Sequence, residues 1–291
     1  MPQLTGKWRG NVYTVCRAAI GVLVFLAYSI SVLCAEPIGV RWKQLLPGLF
    51  FDHIYDPKYC RKGSRYTAAL LIDPSRYKFE AFHFTQSKEQ ALLDAGQWRE
   101  YLDALVVFNA GQYYDDLKHM GLLVKDGKNY GTPFNRRWKG LFVQTGESEG
   151  LSVARILDLQ FLQGDPSGGS YSFAVQSYML LDHLGNVRIR ESERIANRTA
   201  LASLKDGRIV VLCTEGGYTL HDFTGFIADL DLDLHNAMGL DGGHQAQLVV
   251  KTPEFLYETY GSWSSGAPVK NVSIPIQLRI PAVIAIFPKE G

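Results

Sequence analysis

In Ala237-Met238-Gly239-Leu240-Asp241-Gly242-Gly243-His244-Gln245-Ala246-Gln247-Leu248 an apolar run leads to one carboxylate. Two glycines, a histidine and a row of amides follow. Glycine lets a backbone turn tightly, or approach a ligand with no Cβ in the way. A carboxylate at the end of a buried strand, beside such a turn, is a common way for an active site to hold an acid. The same Asp-Gly pair is an ordinary hairpin turn signal, so the spacing alone leaves both readings open.

Outward from this stretch the chain alternates between strand and turn signals. Residues 200–204, the turn Lys205-Asp206-Gly207 and residues 209–213 predict a hairpin. Thr219 with Asp222 predicts the start of a helix that buries Leu220, Phe223, Phe226, Ile227 and Leu230. Leu105-Val106-Val107-Phe108 is a short apolar run and predicts a buried strand ending at Asn109. Residues 66–72, 78–84, 121–124 and 141–143 also read as strands, and residues 163–170 as an exposed loop. Ser87 with Gln90 forms a capping-box pattern. It predicts a helix with Ala91, Leu92, Ala95, Trp98 and Leu102 on one face. The tail, 272–287, is rich in Ile and Val, with Pro275 and Pro281 marking edges or bulges. Many strands and two clear helices predict an α+β fold: a large mixed, mostly antiparallel sheet with a few packed helices in a single main domain.

The chain has 291 residues, 46% hydrophobic and 20% charged, which is a globular composition. Its formal net charge of +1 suggests no nucleic-acid partner. Lys7, Arg9 and Arg17 precede an apolar run over residues 18–33, and small residues and Pro37 follow. This reads as a secretory signal or N-terminal anchor over residues 1–35, with cleavage near Ala35. The run is short for a membrane-spanning helix, which needs about 20 residues. Cys34 follows the bulky Leu33, which argues against a lipidation site. Loss of residues 1–35 removes three basic groups and no acidic ones, leaving a net charge of −2. Residues 36–104 then form lead-in strands and a helix, and residues 105–291 the core. Cys60 and Cys213 remain, either as a pair in an oxidising compartment or as two separate buried thiols. No Cys-x-x-Cys pattern points to zinc.

Four blocks together bear a family likeness. Leu240-Asp241-Gly242-Gly243 resembles the Leu-Asp-Gly-Gly signature of the phosphodiester glycosidase family. Phe108-Asn109-Ala110-Gly111-Gln112-Tyr113-Tyr114 is similar to its Asn-Gly-Gly-Phe-Phe, and Arg198-Thr199-Ala200 to its Arg-Thr-Ala. Asp206-Gly207-Arg208, followed by Gly216-Gly217-Tyr218-Thr219-Leu220, resembles its Asp-Gly-Arg and Gly-x-Thr-Leu segment. The blocks stand in the family's order from about residue 105 to 248. The chain departs from the pattern at Ala110, at Gln112-Tyr113, and at His244 to Gln247, where the family keeps small residues.

The resemblance implies a hydrolase that cleaves a sugar-phosphate phosphodiester at the anomeric C–O bond, on an envelope or extracellular glycan. Asp241 is the candidate nucleophile or base. The leaving phosphate is weakly basic, so one carboxylate with a cationic clamp can suffice where glycosidases ordinarily use two. Arg198 offers the fork that matches two phosphate oxygens. It lies inside a glycosylation sequon, Asn197-Arg198-Thr199, where a glycan would cover the site. Glu215 is a candidate second carboxylate, read from its neighbourhood rather than from any family block. His244 can serve as an acid or base near neutral pH. Asn109, Gly111, Thr199, Gly242, Gly243 and Gln245 are candidates for binding substrate. No cofactor or metal is expected. Asp229, Asp231 and Asp233 alternate with Leu but lack a calcium loop, and read as the solvated end of the second helix. The other reading is an inactive glycan-binding or envelope-assembly protein on the same fold. A metal-dependent phosphodiesterase is disfavoured by the lack of a ligand cluster in the sequence.

Overall fold

The apolar runs become strands that stack in two layers. The computed structural model describes residues 36–145, 153–162, 171–265 and 278–289. The expected leader (1–35), the loop at 163–170 and most of the apolar tail before residue 278 lie outside the described residues.

In chain order the strands are β1 (Lys43–Leu46), β2 (Leu49–Tyr55), β3 (Tyr66–Ile72), β4 (Tyr77–His83), β5 (Val106–Asn109), β6 (Leu123–Lys125), β7 (Lys128–Asn129) and β8 (Gly140–Thr145). Then follow β9 (Ala154–Asp158), β10 (Tyr171–Leu181), β11 (Thr199–Leu204), β12 (Ile209–Thr214), β13 (Leu234–Gly239), β14 (Gln247–Thr252), β15 (Phe255–Tyr260) and β16 (Ala282–Pro288). The helices are α1 (Ala95–Leu102) and α2 (Leu220–Ala228). An 11-stranded sheet runs β1-β2-β3-β12-β11-β13-β10-β6-β7, with β8 and β9 branching from β10. A 5-stranded sheet runs β15-β14-β5-β16-β4. Each strand ladder is antiparallel, as in β11 with β12 through Thr199↔Cys213 and Leu201↔Val211.

The main core lies between the sheets, where Leu70, Val211 and Met238 of the large sheet meet Phe108, Leu248 and Ile284 of the small one. The outer face of the large sheet packs on Phe223, Phe226 and Ile227 of α2. The outer face of the small sheet packs on Trp98 of α1. Strands covered on both faces, such as β11 and β12, are buried at each residue, so they read as continuous apolar runs. One-sided β4 alternates instead. The predicted α+β class and the mostly antiparallel sheet are what the structure shows, with a second, smaller sheet behind the first.

The first helix starts later than predicted. Ser87 does not cap it: the Ser87 hydroxyl donates to the carbonyls of Phe84 and Ala91. Glu89 and Gln90 take φ of +59° and +53°, a left-handed conformation that no α-helix propagates through. The capping box lies seven residues on. The Asp94 carboxylate accepts from Gln97 N, and Gln97 Oε1 accepts from Asp94 N. Gly96 thus falls in the first turn, where it matters least. The second helix begins as predicted, with Thr219 Oγ1 accepting from Asp222 N. Past its end, Asp229 accepts from Tyr59 and Lys58, and Asp233 from Lys205. Cys60 and Cys213 are separate buried thiols.

Candidate active site

Three strand ends meet where the two sheets approach each other. β5 ends at Asn109, β11 begins at Thr199, and β13 runs out through Leu240 to Asp241. Asn109 ties them together. Its Nδ2 donates to the Asp241 carbonyl at 2.9 Å and to the Ala110 carbonyl at 3.1 Å. Its Oδ1 accepts from Thr199 Oγ1 at 2.8 Å and from Gln247 N at 3.1 Å. Backbone bonds from Asp241 N to Ala110 O and from Leu240 N to Thr199 O complete the join.

The Asp241 carboxyl accepts from Gly242 N at 2.9 Å. Among the described residues no other donor reaches it. Burial lifts its pKa to about 7, restrained by that N–H and by the positive charges of Arg194 and Arg198. Arg198 is buried. Its Nε donates to the Tyr218 carbonyl at 3.1 Å and its Nη2 to the Arg194 carbonyl at 2.8 Å. Its Nη1 faces Gly242, where a Cβ would come within 3.5 Å of it and within 2.7 Å of the Asn197 carbonyl. No carboxylate lies within ion-pair distance of Arg198 among the described residues, and burial lowers its pKa. A buried guanidinium without an anion is costly.

The glycines have separate reasons. Gly243 takes a φ of +71° and opens the short turn Gly243–Gln245. Gly242 has an ordinary extended backbone, and a Cβ there would clash with the Asn197 carbonyl while only touching Arg198. In that turn His244 donates from Nδ1 to the Gly261 carbonyl at 2.9 Å, since a carbonyl only accepts. Gln245 Nε2 donates to the Tyr113 hydroxyl at 3.2 Å. Gly111 is buried against His119: a Cβ there would lie 2.6 Å from His119 Nε2. Packing therefore accounts for this glycine. His119 is fully enclosed, and burial pushes its pKa down to about 4. Thr199 is buried too, with its hydroxyl proton given to Asn109. The sequon is closed: Asn197 is fully buried, donating to the Thr214 carbonyl and accepting from Ser262 N and Trp263 N.

Asn109, Arg198, Thr199, Asp241, Gly242 and Gly243 thus gather in one cluster, and Glu215 stands in another. Glu215 accepts from His53, Ser64 and Tyr257. Burial works against its charged form, yet those three bonds hold its pKa below the ordinary range. Side-chain alternation explains the split. Glu215 continues the face of Cys213, which looks between the sheets, while Arg198 shares the face of Ala200, which looks toward α2.

Several neighbours of Asp241 escape a reading of the sequence. Tyr178 donates to the Leu240 carbonyl at 2.9 Å, and its phenol is pushed up to about 12 by burial. Gln112 donates to the same carbonyl at 3.0 Å. Burial raises the pKa of Tyr113, as does the charge of Asp241. Arg194 lies in a charged stretch that reads as plain surface. The departure from the family pattern at Gln112-Tyr113 and a Tyr within the largely buried β10 are the available cues.

The phosphodiester glycosidase family model matches residues 103–286. No curated protein matches the chain. Among solved structures, a hypothetical protein from Synechocystis aligns with a TM-score of 0.59 at 11% identity, over 86% of this chain; the chain spans 64% of that protein's length. The catalytic domain of zebrafish N-acetylglucosamine-1-phosphodiester alpha-N-acetylglucosaminidase, auto-inhibited by its pro-peptide, aligns with a TM-score of 0.53 at 17% identity, over 87% of this chain and 85% of that one. At these identities the likeness is one of fold. The family match, in contrast, takes in Asn109, Arg198 and Asp241 and covers well over half of the sequence: the chain belongs to the phosphodiester glycosidase family.

Proposed function

We propose that the protein hydrolyses a glycosyl phosphodiester at the anomeric C–O bond. The observation that carries this reading is the pairing of Arg198, a buried guanidinium with no carboxylate partner, with Asp241, a carboxyl whose pKa of about 7 suits a base at neutral pH. In the reaction Arg198 holds the non-bridging oxygens of the phosphate. The ionised Asp241 takes a proton from water as the water oxygen bonds to the anomeric carbon. The bond from that carbon to the bridging oxygen breaks, and its electron pair leaves with the phosphate. The products are a free sugar and a phosphate monoester. Asp241 then returns its proton to solvent. Asn109 holds the Asp241 backbone and Gly242 N–H holds its carboxyl.

A panel of sugar-1-phosphate diesters with chromogenic leaving groups tests the reading. Turnover of at least one diester, with release of free sugar, is expected. Retention of glycan without turnover of any diester favours the inactive binding protein instead.

The basic and apolar N-terminal sequence supports an exported protein that meets its glycan in the envelope or outside the cell. Mass spectrometry of envelope fractions is expected to find a chain beginning near Glu36. A full-length cytoplasmic species as the sole form would refute export. Among the described residues no helix is long and apolar enough to cross a membrane.

A further inference from the structure

The structure assigns Tyr178 and Gln112 as positioning residues for Asp241: both bond the carbonyl of the peptide that leads into it, and each backs up the other. This rests on the function proposed above for Asp241.

Among the described residues the Asp241 carboxyl has one donor, Gly242 N. Its place is therefore set by the main chain on either side of it. The ladders that hold β13 stop just short of this point. Their last pairs are Tyr178↔Gly239 with β10 and Ala200↔Gly239 with β11. The Leu240 carbonyl lies beyond both, and side chains take over from strand neighbours. The Tyr178 hydroxyl donates to it at 2.9 Å and Gln112 Nε2 at 3.0 Å.

Gly239 makes the first of these bonds possible. The Tyr178 ring lies across it, and a Cβ on Gly239 would collide with that ring. Gln112 is held in turn by Ser177, whose hydroxyl donates to Gln112 Oε1 at 3.2 Å. This fixes the amide with its nitrogen toward the Leu240 carbonyl. Gln112 stands three residues after Asn109 on one segment, and Asn109 Nδ2 donates to the Asp241 carbonyl. Two amides thus clasp the carbonyls before and after the Asp241 Cα. Asp241 N closes the clasp on the Ala110 carbonyl of the same segment. Burial pushes the Tyr178 phenol up to about 12, so it remains a donor wherever Asp241 works as a base.

A carbonyl oxygen has two lone pairs, and one donor keeps it from being buried unpaired. Either side chain alone therefore holds the peptide. With neither, the peptide turns and carries the carboxyl with it. Arg198 keeps its own bonds to the Tyr218 and Arg194 carbonyls, so binding outlasts the loss of aim.

Steady-state kinetics on a sugar-1-phosphate diester tests this with Tyr178→Phe, Gln112→Met and the double variant, each at a temperature where its melting curve shows it folded. Each single variant is expected to lower kcat by about 3-fold, because the remaining donor still fills the carbonyl. The double variant is expected to lower kcat by ~10²-fold, the cost of a misplacement on the order of 1 Å, with KM within about 2-fold of the wild type. Should the double variant not fold, Tyr178→Phe with Gln112→Asn takes its place; it keeps an amide one methylene short of the carbonyl. Single losses that simply multiply, a single variant as slow as the double, or a double variant that keeps its kcat or fails through KM overturns the clasp alone. A wild type that turns over no diester overturns it together with the role given to Asp241.

Discussion

Asp241→Asn is expected to lower kcat on a glycosyl phosphodiester by ~10²-fold or more, the range typical of general acid–base groups. The substitution keeps the size of the side chain and removes the base. The wild-type rate should rise with pH and level off above about 7, as the Asp241 carboxyl ionises, and this limb should vanish in the variant. Stability should move the other way. A carboxyl ordinarily titrates near 3.9. The native Asp241 holds its proton up to about 7, so the stability it contributes is lost as the pH rises through that value. Asn carries no such penalty. The melting temperature of Asp241→Asn relative to the wild type should therefore increase between pH 4 and pH 8. An unchanged pH–rate profile, or a variant less stable than the wild type at pH 8, contradicts the role given to this carboxyl.

Arg198→Lys is expected to lower kcat/KM by ~10²-fold, with kcat falling more than affinity. The guanidinium donates at once to the Tyr218 and Arg194 carbonyls and presents Nη1 toward Gly242. A lysine ammonium is a point charge that cannot reproduce this fork. Each charge-assisted hydrogen bond is worth roughly 1.5–3 kcal/mol. Negative charge on the departing oxygen grows in the transition state, so the loss is felt most there. Steady-state kinetics on the same diester separates the two parameters. Equal loss in kcat and affinity, or a rise in KM alone, would mean that Arg198 only binds.

Much of this arrangement was legible in the residues. β3, β4, β5 and the β11–β12 hairpin follow from apolar runs bounded by Pro, Gly and Asp. Asn109, Arg198 and Asp241 each stand at a strand end within a family-like block, and the structure brings those strand ends together. Pairing of strands into two stacked sheets was not legible, since a run buried on both faces has the same composition in either sheet. The start of α1 was misread because Ser87/Gln90 and Asp94/Gln97 present the same capping pattern. Tertiary contacts choose the second: Ala95 N donates to Gln247 Oε1, and Trp98 packs on the small sheet. Glu215 stood close to the right blocks in sequence, but strand alternation sends it between the sheets.

Asn109 has a consequence for timing. Its side chain bonds partners 90, 132 and 138 residues further along the chain. Contacts so distant are closed late, after local turns and hairpins have formed. The reactive groups thus have no fixed relation to one another until both sheets have docked in register. A growing or half-folded chain carries all its chemistry yet is inert, and a cut between residues 109 and 247 that lets the sheets part would silence the protein with each reactive side chain intact.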